Sequence, residues 1–222
     1  MHFVERVYVG DAQEHHDRGF PDDARPTLWW FDVQPTTVVL GSTQSEAVVD
    51  LEACRARGIP VARRRSGGGL VIVGSGRVLW LDVLIPRGHR LWDDDLSRSG
   101  LWLARAWVDG LARVGIVDAT IHDGPMVRTD WSSLICFDGR GPGEVFRGDS
   151  KLVGVSQRRT REWARFQCSL SLRWDPTFLA DVIEVEGFDP NRVASSGTTL
   201  DVDVDLVRRA VGDAIKESIG RS

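Results

Sequence analysis

Lysine is nearly absent from this chain of 222 residues: of its 28 basic residues, only Lys151 and Lys216 are lysines. Where arginine serves as the general cation, a lysine is retained either by chance, the reading for Lys216 on an expected surface helix, or because the position calls for a compact ammonium, the reading that context favours for Lys151. A basic excess is lacking as well. The net charge of −4 gives no electrostatic footprint for nucleic acid. No run of about 18 apolar residues occurs, so no membrane-spanning helix is expected. Glu5, Asp11 and Glu14 interrupt the N-terminal stretch where a secretory signal would be apolar. Cys54, Cys136 and Cys168 are odd in number and irregularly spaced, with no CxxC-type metal pattern. That points to reduced thiols, a cytoplasmic location and no metal site built on cysteine. Repeats, low-complexity stretches and linkers are missing too, so one domain is expected over residues 1–222.

What is present reads as α+β, with a mixed sheet flanked by helices. Val4–Val9, Leu28–Val33 and Thr36–Leu40 are rich in β-branched and aromatic residues and are punctuated by Pro26 and Pro35. Glu46–Arg57 is expected as a helix capped by Gly58, with a strand at Val61–Arg64 beyond it. Leu70–Val73 and Arg77–Ile85 read as a hairpin bent at Gly74-Ser75-Gly76. Ser97–Val114 carries Leu103, Trp107, Leu111 and Val114 on one helical stripe. Short strands are expected at Ile116–His122 and Ser133–Phe137, then three consecutive strands at Val145–Phe146, Lys151–Gln157 and Ala164–Arg173. Asp175-Pro176 is a helix start for Thr177–Ile183, and Asp205–Ile219 supplies the last helix. His15, His16, His89 and His122 are expected at the surface or in loops, and Cys54 as a packed thiol on its helix.

Two segments carry chemistry. The first is Arg63-Arg64-Arg65-Ser66-Gly67-Gly68-Gly69 at a strand end. Consecutive glycines let backbone N–H groups approach an anion, and neighbouring arginines can hold a phosphate or carboxylate. The same composition also suits a flexible turn beside a solvated basic cluster, and spacing alone does not choose. The second runs from Gly143 to Arg159. In it Lys151 follows a Gly-Asp-Ser turn and opens an apolar strand, where it can reach out as a point charge with little packing of its own.

Together, and in this order, the segments resemble the lipoate–protein ligases and octanoyltransferases, which share a catalytic domain with biotin protein ligases. The likeness runs through ARRRSGGGLVIV, then ICF, GEV and SKLVGVSQRRT, then ARFQCSLSL, roughly residues 36 to 174. It implies a mainly antiparallel sheet flanked by helices, as in the biotin/lipoate ligase catalytic domain, without a C-terminal accessory domain. It also implies that Arg63, Arg64, Ser66, Gly67, Gly68, Gly69, Gly154 and Ser156 line the acyl and nucleotide pocket. Lys151 would be the catalytic lysine.

The first expectation is therefore a ligase that activates lipoate or octanoate as an acyl-adenylate, using ATP and Mg²⁺, and transfers the acyl group to a lysine of a lipoyl domain. Joining a carboxylate to a phosphate brings two anions together, which calls for fixed positive charge such as Lys151 and Arg64. Trp80, Leu81, Val71 and Val153 are available for the acyl chain. The family's His-Asp pair and Asn after the glycines are replaced by Val73-Gly74 and Arg77, and its His-Gly by Gln167-Cys168. Cys136 matches the Cys-Phe that precedes the lysine strand. In some octanoyltransferases a cysteine in this region carries the acyl group as a thioester. An ATP-independent octanoyltransferase using Cys136 and an acyl-carrier-protein donor is thus the alternative, and a non-catalytic acyl- or partner-binding homologue the third reading.

Overall fold

The computed structural model describes residues 3–220; Met1, His2, Arg221 and Ser222 lie outside it. Near-continuous apolar runs make the central strands, because both faces of the sheet are covered. Strands β1 (Val4–Gly10) and β2 (Thr27–Val33) run parallel. β6 (Val78–Pro86), β10 (Trp163–Ser171), β9 (Ser150–Arg159), β8 (Glu144–Arg147) and β7 (Ala119–His122) continue the sheet antiparallel, in the order β1-β2-β6-β10-β9-β8-β7. A second, three-stranded sheet sets β3 (Thr37–Leu40) between β4 (Val61–Arg63) and β5 (Val71–Val73). The fold is α+β with a mainly antiparallel sheet flanked by helices.

Helices α3 (Leu101–Arg113) and α5 (Val204–Gly220) cover one face of the large sheet. Leu103, Trp107 and Leu111 of α3 meet Val207, Val211 and Ile215 of α5 over Leu28, Trp30 and Leu81. On the opposite face, Trp29, Phe31 and Trp80 pack with Val39 and Ala62 of the small sheet. A further core joins Leu40, Leu70, Leu134 and Phe137 to α4 (Pro176–Val182).

Several expected elements change. Leu70–Val73 and Arg77–Ile85 are not a hairpin: β5 pairs with β3 in the small sheet, and β6 pairs with β2 and β10 in the large one. Gly74 and Gly76 take left-handed φ values of 154° and 72°, which swing the chain from one sheet to the other. The expected helix Glu46–Arg57 is divided into a 3₁₀ turn, Glu46–Val48, and α2 (Leu51–Ala56). Asp50 makes the division by capping Ala53 N–H with its own carboxylate at 2.8 Å. Ser133–Phe137 is not a strand; Ile135 makes a single bridge to Leu70, and Cys136–Asp138 is a 3₁₀ turn. The helix expected from Ser97 starts at Leu101, after a turn in which Asp95 accepts from Ser97 N–H.

Helix α1 (Ala12–Asp17) was not expected at all, because AQEHHD has no apolar period. It is held by a buried ion pair instead: Arg165 donates to Asp82 at 2.5 Å and to the carbonyls of His15 and Arg18 at 2.9 Å. His15 and His16 are therefore buried rather than on the surface. The His16 ring lies 4.5 Å from that of Trp80. Burial, followed by the charges of Arg165 and Arg64, lowers its pKa from 6.5 to about 3.

Two expectations follow from this packing. An ideal Cβ on Gly110 of α3 would stand 2.6 Å from Cα of Val211 on α5. Gly110→Ala should thus destabilise by ~1–3 kcal/mol despite its better helix propensity, read as a lowered denaturation midpoint. His16 is neutral in both states above pH 6.5; below it the unfolded chain takes up a proton that the folded chain refuses until about pH 3. Stability should fall as pH drops through that window, by about 1.4 kcal/mol per unit from this group. Urea titrations across the window should show a shallower decline for His16→Gln.

Candidate active site

The loop between β4 and β5 crosses the end of the small sheet with its backbone pressed against neighbours. A Cβ on Gly41 would lie 1.9 Å from the carbonyl oxygen of Gly68, and one on Gly69 would lie 2.6 Å from the backbone of Ile135. Gly68 has φ +100°. Gly67 differs: its Cβ would meet nothing within 4 Å, and its φ is not left-handed. The constraint on side chains falls on Gly68 and Gly69. Leu70 N–H donates to Leu134 O at 2.7 Å and Cys136 N–H to Leu70 O at 2.9 Å, pinning the Cys136 turn beside the glycine loop.

These two segments and β9 enclose a cavity of about 510 Å³, lined by Arg64, Ser66, Gly67, Gly68, Gly69, Cys136, Glu144, Lys151, Val155 and Ser156, with Thr43, Met126, Arg128 and Ser133 among its other walls. Most of the expected site residues thus meet. Arg63 does not line the cavity. Successive strand residues point to opposite faces, and its guanidinium donates to the carbonyls of Gly41 at 3.0 Å and Gln44 at 2.6 Å, tying the preceding loop. Gly154 is not a wall either; it pairs with Ser169 in the sheet behind Glu144 and Phe137. The side chains expected to hold an acyl chain are elsewhere. Trp80, Leu81 and Val153 are buried in the cores, and Val71 packs between the two smaller ones. Val155 and Met126 are the apolar walls the cavity does have.

Lys151 is not a projecting strand-end residue. It is 1% exposed, and its Nζ donates to the carbonyl of Cys136 at 2.7 Å and to the carboxylate of Glu144 at 2.9 Å. The rings of Phe137 and Phe146 flank it at 5.7 and 5.8 Å. Glu144 also accepts from Gly141 N–H at 2.6 Å. Sequence reasoning did not select Glu144; its signal was an acid between a glycine turn and an apolar pair, in GEVF.

Arg64, 6% exposed, donates from Nη2 to Gly69 O at 3.0 Å and to Cys136 Sγ at 3.5 Å. Half-buried Cys136 therefore has a guanidinium at its sulfur and an ammonium at its carbonyl. Cys54 and Cys168 are buried in separate cores, and burial pushes both thiols upward, furthest for Cys168. Gln167, at the family's histidine position, accepts from Ser66 Oγ at 3.4 Å and lies 3.3 Å from Nδ1 of His16. Helix α1 thus buttresses the glycine loop.

Val73, Gly74 and Arg77 contribute nothing to the cavity. Val73 pairs with Thr37, Gly74 abuts Thr36, and Arg77 lies over Phe178 at 3.9 Å, facing Asp175. Among the described residues no cluster of three His, Cys, Asp or Glu could hold a metal ion, and no helix is long and apolar enough to cross a membrane.

Residues 12–216 match the model of the lipoyl protein ligase A/B catalytic domain. The chain is 31% identical over 147 residues to octanoyltransferase LipM of Moorella thermoacetica, and 27% identical over 136 residues to that of Clostridioides difficile. These matches cover 66% and 61% of this chain but 52% and 49% of the relatives, so they span about half the relatives' length. T. acidophilum protein Ta0514 with bound lipoic acid superposes over 98% of this chain and 85% of its own, with TM-score 0.73 and 21% identity. Lipoate-protein ligase A bound with ATP does so over 98% and 84%, with TM-score 0.74 and 23% identity. At such identities the structural likeness establishes the fold. With the family model spanning almost the whole chain, the protein belongs to the lipoyl protein ligase A/B catalytic-domain family, which unites lipoate–protein ligases and octanoyltransferases.

Proposed function

We propose that this protein is an octanoyltransferase that carries the acyl group on Cys136 and delivers it to a lysine of a lipoyl domain. The carrying observation is the Cys136 thiol in the cavity wall, 3.5 Å from Arg64 Nη2, on a turn whose carbonyl holds Lys151 Nζ at 2.7 Å. The sequence likeness to LipM octanoyltransferases supports it. A cysteine sulfur open to the cavity is the nucleophile that thioester exchange requires. In the first step Cys136 Sγ bonds to the carbonyl carbon of a carrier-protein thioester, and the carrier's sulfur leaves and takes the proton. In the second the acceptor amine attacks the Cys136 thioester: the C–N bond forms, the C–S bond breaks, and the amine proton restores the thiol. Both steps pass through an oxyanion, and we assign its stabilisation to Lys151 and the glycine loop, which line the same cavity.

This reading takes the place of the ATP- and Mg²⁺-dependent ligase favoured from sequence. Among the described residues Glu144 is the one carboxylate in the cavity walls, and its oxygens are engaged by Lys151 and Gly141 N–H. That leaves no free carboxylate among the described cavity walls for a magnesium ion. One observation favours the ligase: Arg64 and Arg128 leave the cavity with surplus positive charge, and Arg128 has no ion-pair partner among the described residues.

Cys136→Ser decides between them. It should fold normally and lose octanoyl transfer by ~10³-fold or more. Wild-type protein mixed with octanoyl carrier should gain one octanoyl mass, released by hydroxylamine. Retained transfer by the variant, with ATP-dependent pyrophosphate release, would establish the ligase; ligand binding without turnover would establish a non-catalytic homologue.

Lys151 is tested separately, because its burial alters what alanine does. Lys151→Ala leaves the Glu144 carboxylate buried without its partner, so it should lose ~3–5 kcal/mol of stability along with activity. Lys151→Met combined with Glu144→Gln should regain most of that stability in urea denaturation yet transfer no faster than the single variant.

A further inference from the structure

We propose that Asp138 is a positioning residue that fixes Cys136 and Lys151 relative to each other. The inference rests on the reading of Cys136 as acyl carrier. Asp138 closes the 3₁₀ turn that Cys136 opens, and its carboxylate accepts from the hydroxyls of Ser196 and Thr129. Among the described residues it has no cationic partner.

Ser196 is the link to Lys151. Its carbonyl accepts from the Lys151 backbone N–H at 2.9 Å, and Gly197 bridges to Lys151 in parallel. The segment has little freedom there: a Cβ on Gly197 would lie 2.5 Å from the Trp174 ring, which is tilted onto Phe137 with centroids 5.5 Å apart. The interactions form a ring. Asp138 holds Ser196, Ser196 holds the Lys151 backbone, Lys151 Nζ holds the Cys136 carbonyl, and the chain returns to Asp138 in two residues. Thr129 adds the cavity lip that carries Met126 and Arg128. Ser196 donates to one carboxylate oxygen and Thr129 to the other, Thr129 also reaching the Asp138 carbonyl, so an amide would set an NH2 group against one of the two hydroxyls.

Asp138→Ala opens the ring without touching a wall of the cavity. It should lower kcat for octanoyl transfer by about tenfold or more while leaving KM within about twofold, as expected for misplaced reacting groups. Asp138→Asn, keeping one acceptor, should fall between alanine and wild type. Because Asp138 acts through Ser196, Asp138→Ala combined with Ser196→Ala should be no more than about twofold slower than Asp138→Ala alone. A second readout needs no substrate. Cys54 and Cys168 are 1% and 0% exposed, so iodoacetamide on the folded protein reports Cys136. Its rate should fall about threefold or more in Asp138→Ala at an unchanged melting temperature, as the turn carries sulfur away from Arg64. Failure of the acyl-carrier reading would show as retained transfer in Cys136→Ser, with the alkylation comparison still reading Asp138. Wild-type kcat and alkylation rate in Asp138→Ala, or multiplying losses in the double variant, would overturn the positioning role.

Discussion

The ion pair between Lys151 and Glu144 is the constraint around which the site is arranged. Both groups are withdrawn from water, at a desolvation cost of several kcal/mol per ion, and a buried pair of this kind gains little for stability over an apolar equivalent. Its value lies in geometry. Lys151 Nζ is fixed by Glu144 from β8 and by the carbonyl of Cys136, so one ammonium ties the sheet to a turn that belongs to no sheet. The aromatic rings of Phe137 and Phe146 restrict it further. An arginine would not fit this cage, because its planar fork needs a wider and flatter partner.

The glycine loop is positioned with the same economy but by exclusion. Gly41 and Gly69 stand where a side chain would collide with backbone, and Gly68, with φ +100°, where it would strain the chain and meet the Arg64 guanidinium, so the segments approach at the cavity without intervening side chains. Beneath it, Ser66 is held by Ser156 and Gln167, and Gln167 reaches the buried imidazole of His16. Helix α1 owes its place to the Arg165–Asp82 pair, so two buried ion pairs, one per side, brace the same cavity.

Much of this was legible in the sequence, and the rest fails for identifiable reasons. Central strands, α3, α4 and α5 were readable because hydrophobic period and capping residues agree with tertiary packing. Helix α1 was not, since its contacts are polar and come from Arg165, about 150 positions later. The hairpin misreading arose because two glycines and a serine suit a tight bend and a change of sheet equally well. Lys151 stood out through the scarcity of lysine, but scarcity says nothing of direction, and its burial depends on Glu144 across the β8–β9 pairing. Arg63 and Arg64 are indistinguishable in sequence; strand alternation alone sends one to a structural loop and the other to the cavity. The apolar wall was misassigned because the most hydrophobic stretches are the ones that cores consume.

If Cys136 carries the acyl group as proposed, a small local change separates the two kinds of enzyme that the family unites. Transfer to an amine always requires stabilising charge on the acyl oxygen in a site that excludes water, whatever the leaving group. In the proposed mechanism the lysine, the glycine loop and Arg64 would meet that shared demand. What differs is the leaving group, and so the local change needed is small: a sulfur beside Arg64 for a thioester, or free acidic and polar groups for a metal-bound phosphate. Here the turn supplies the sulfur. Among the described residues the one carboxylate in the cavity wall is engaged by Lys151, and the positions where the ligase pattern has His-Asp and Asn are packed away from the cavity as Val73, Gly74 and Arg77. Under the proposed acyl-carrier role it is the thiol beside Arg64 that separates the two chemistries, since the fixed cations would serve either.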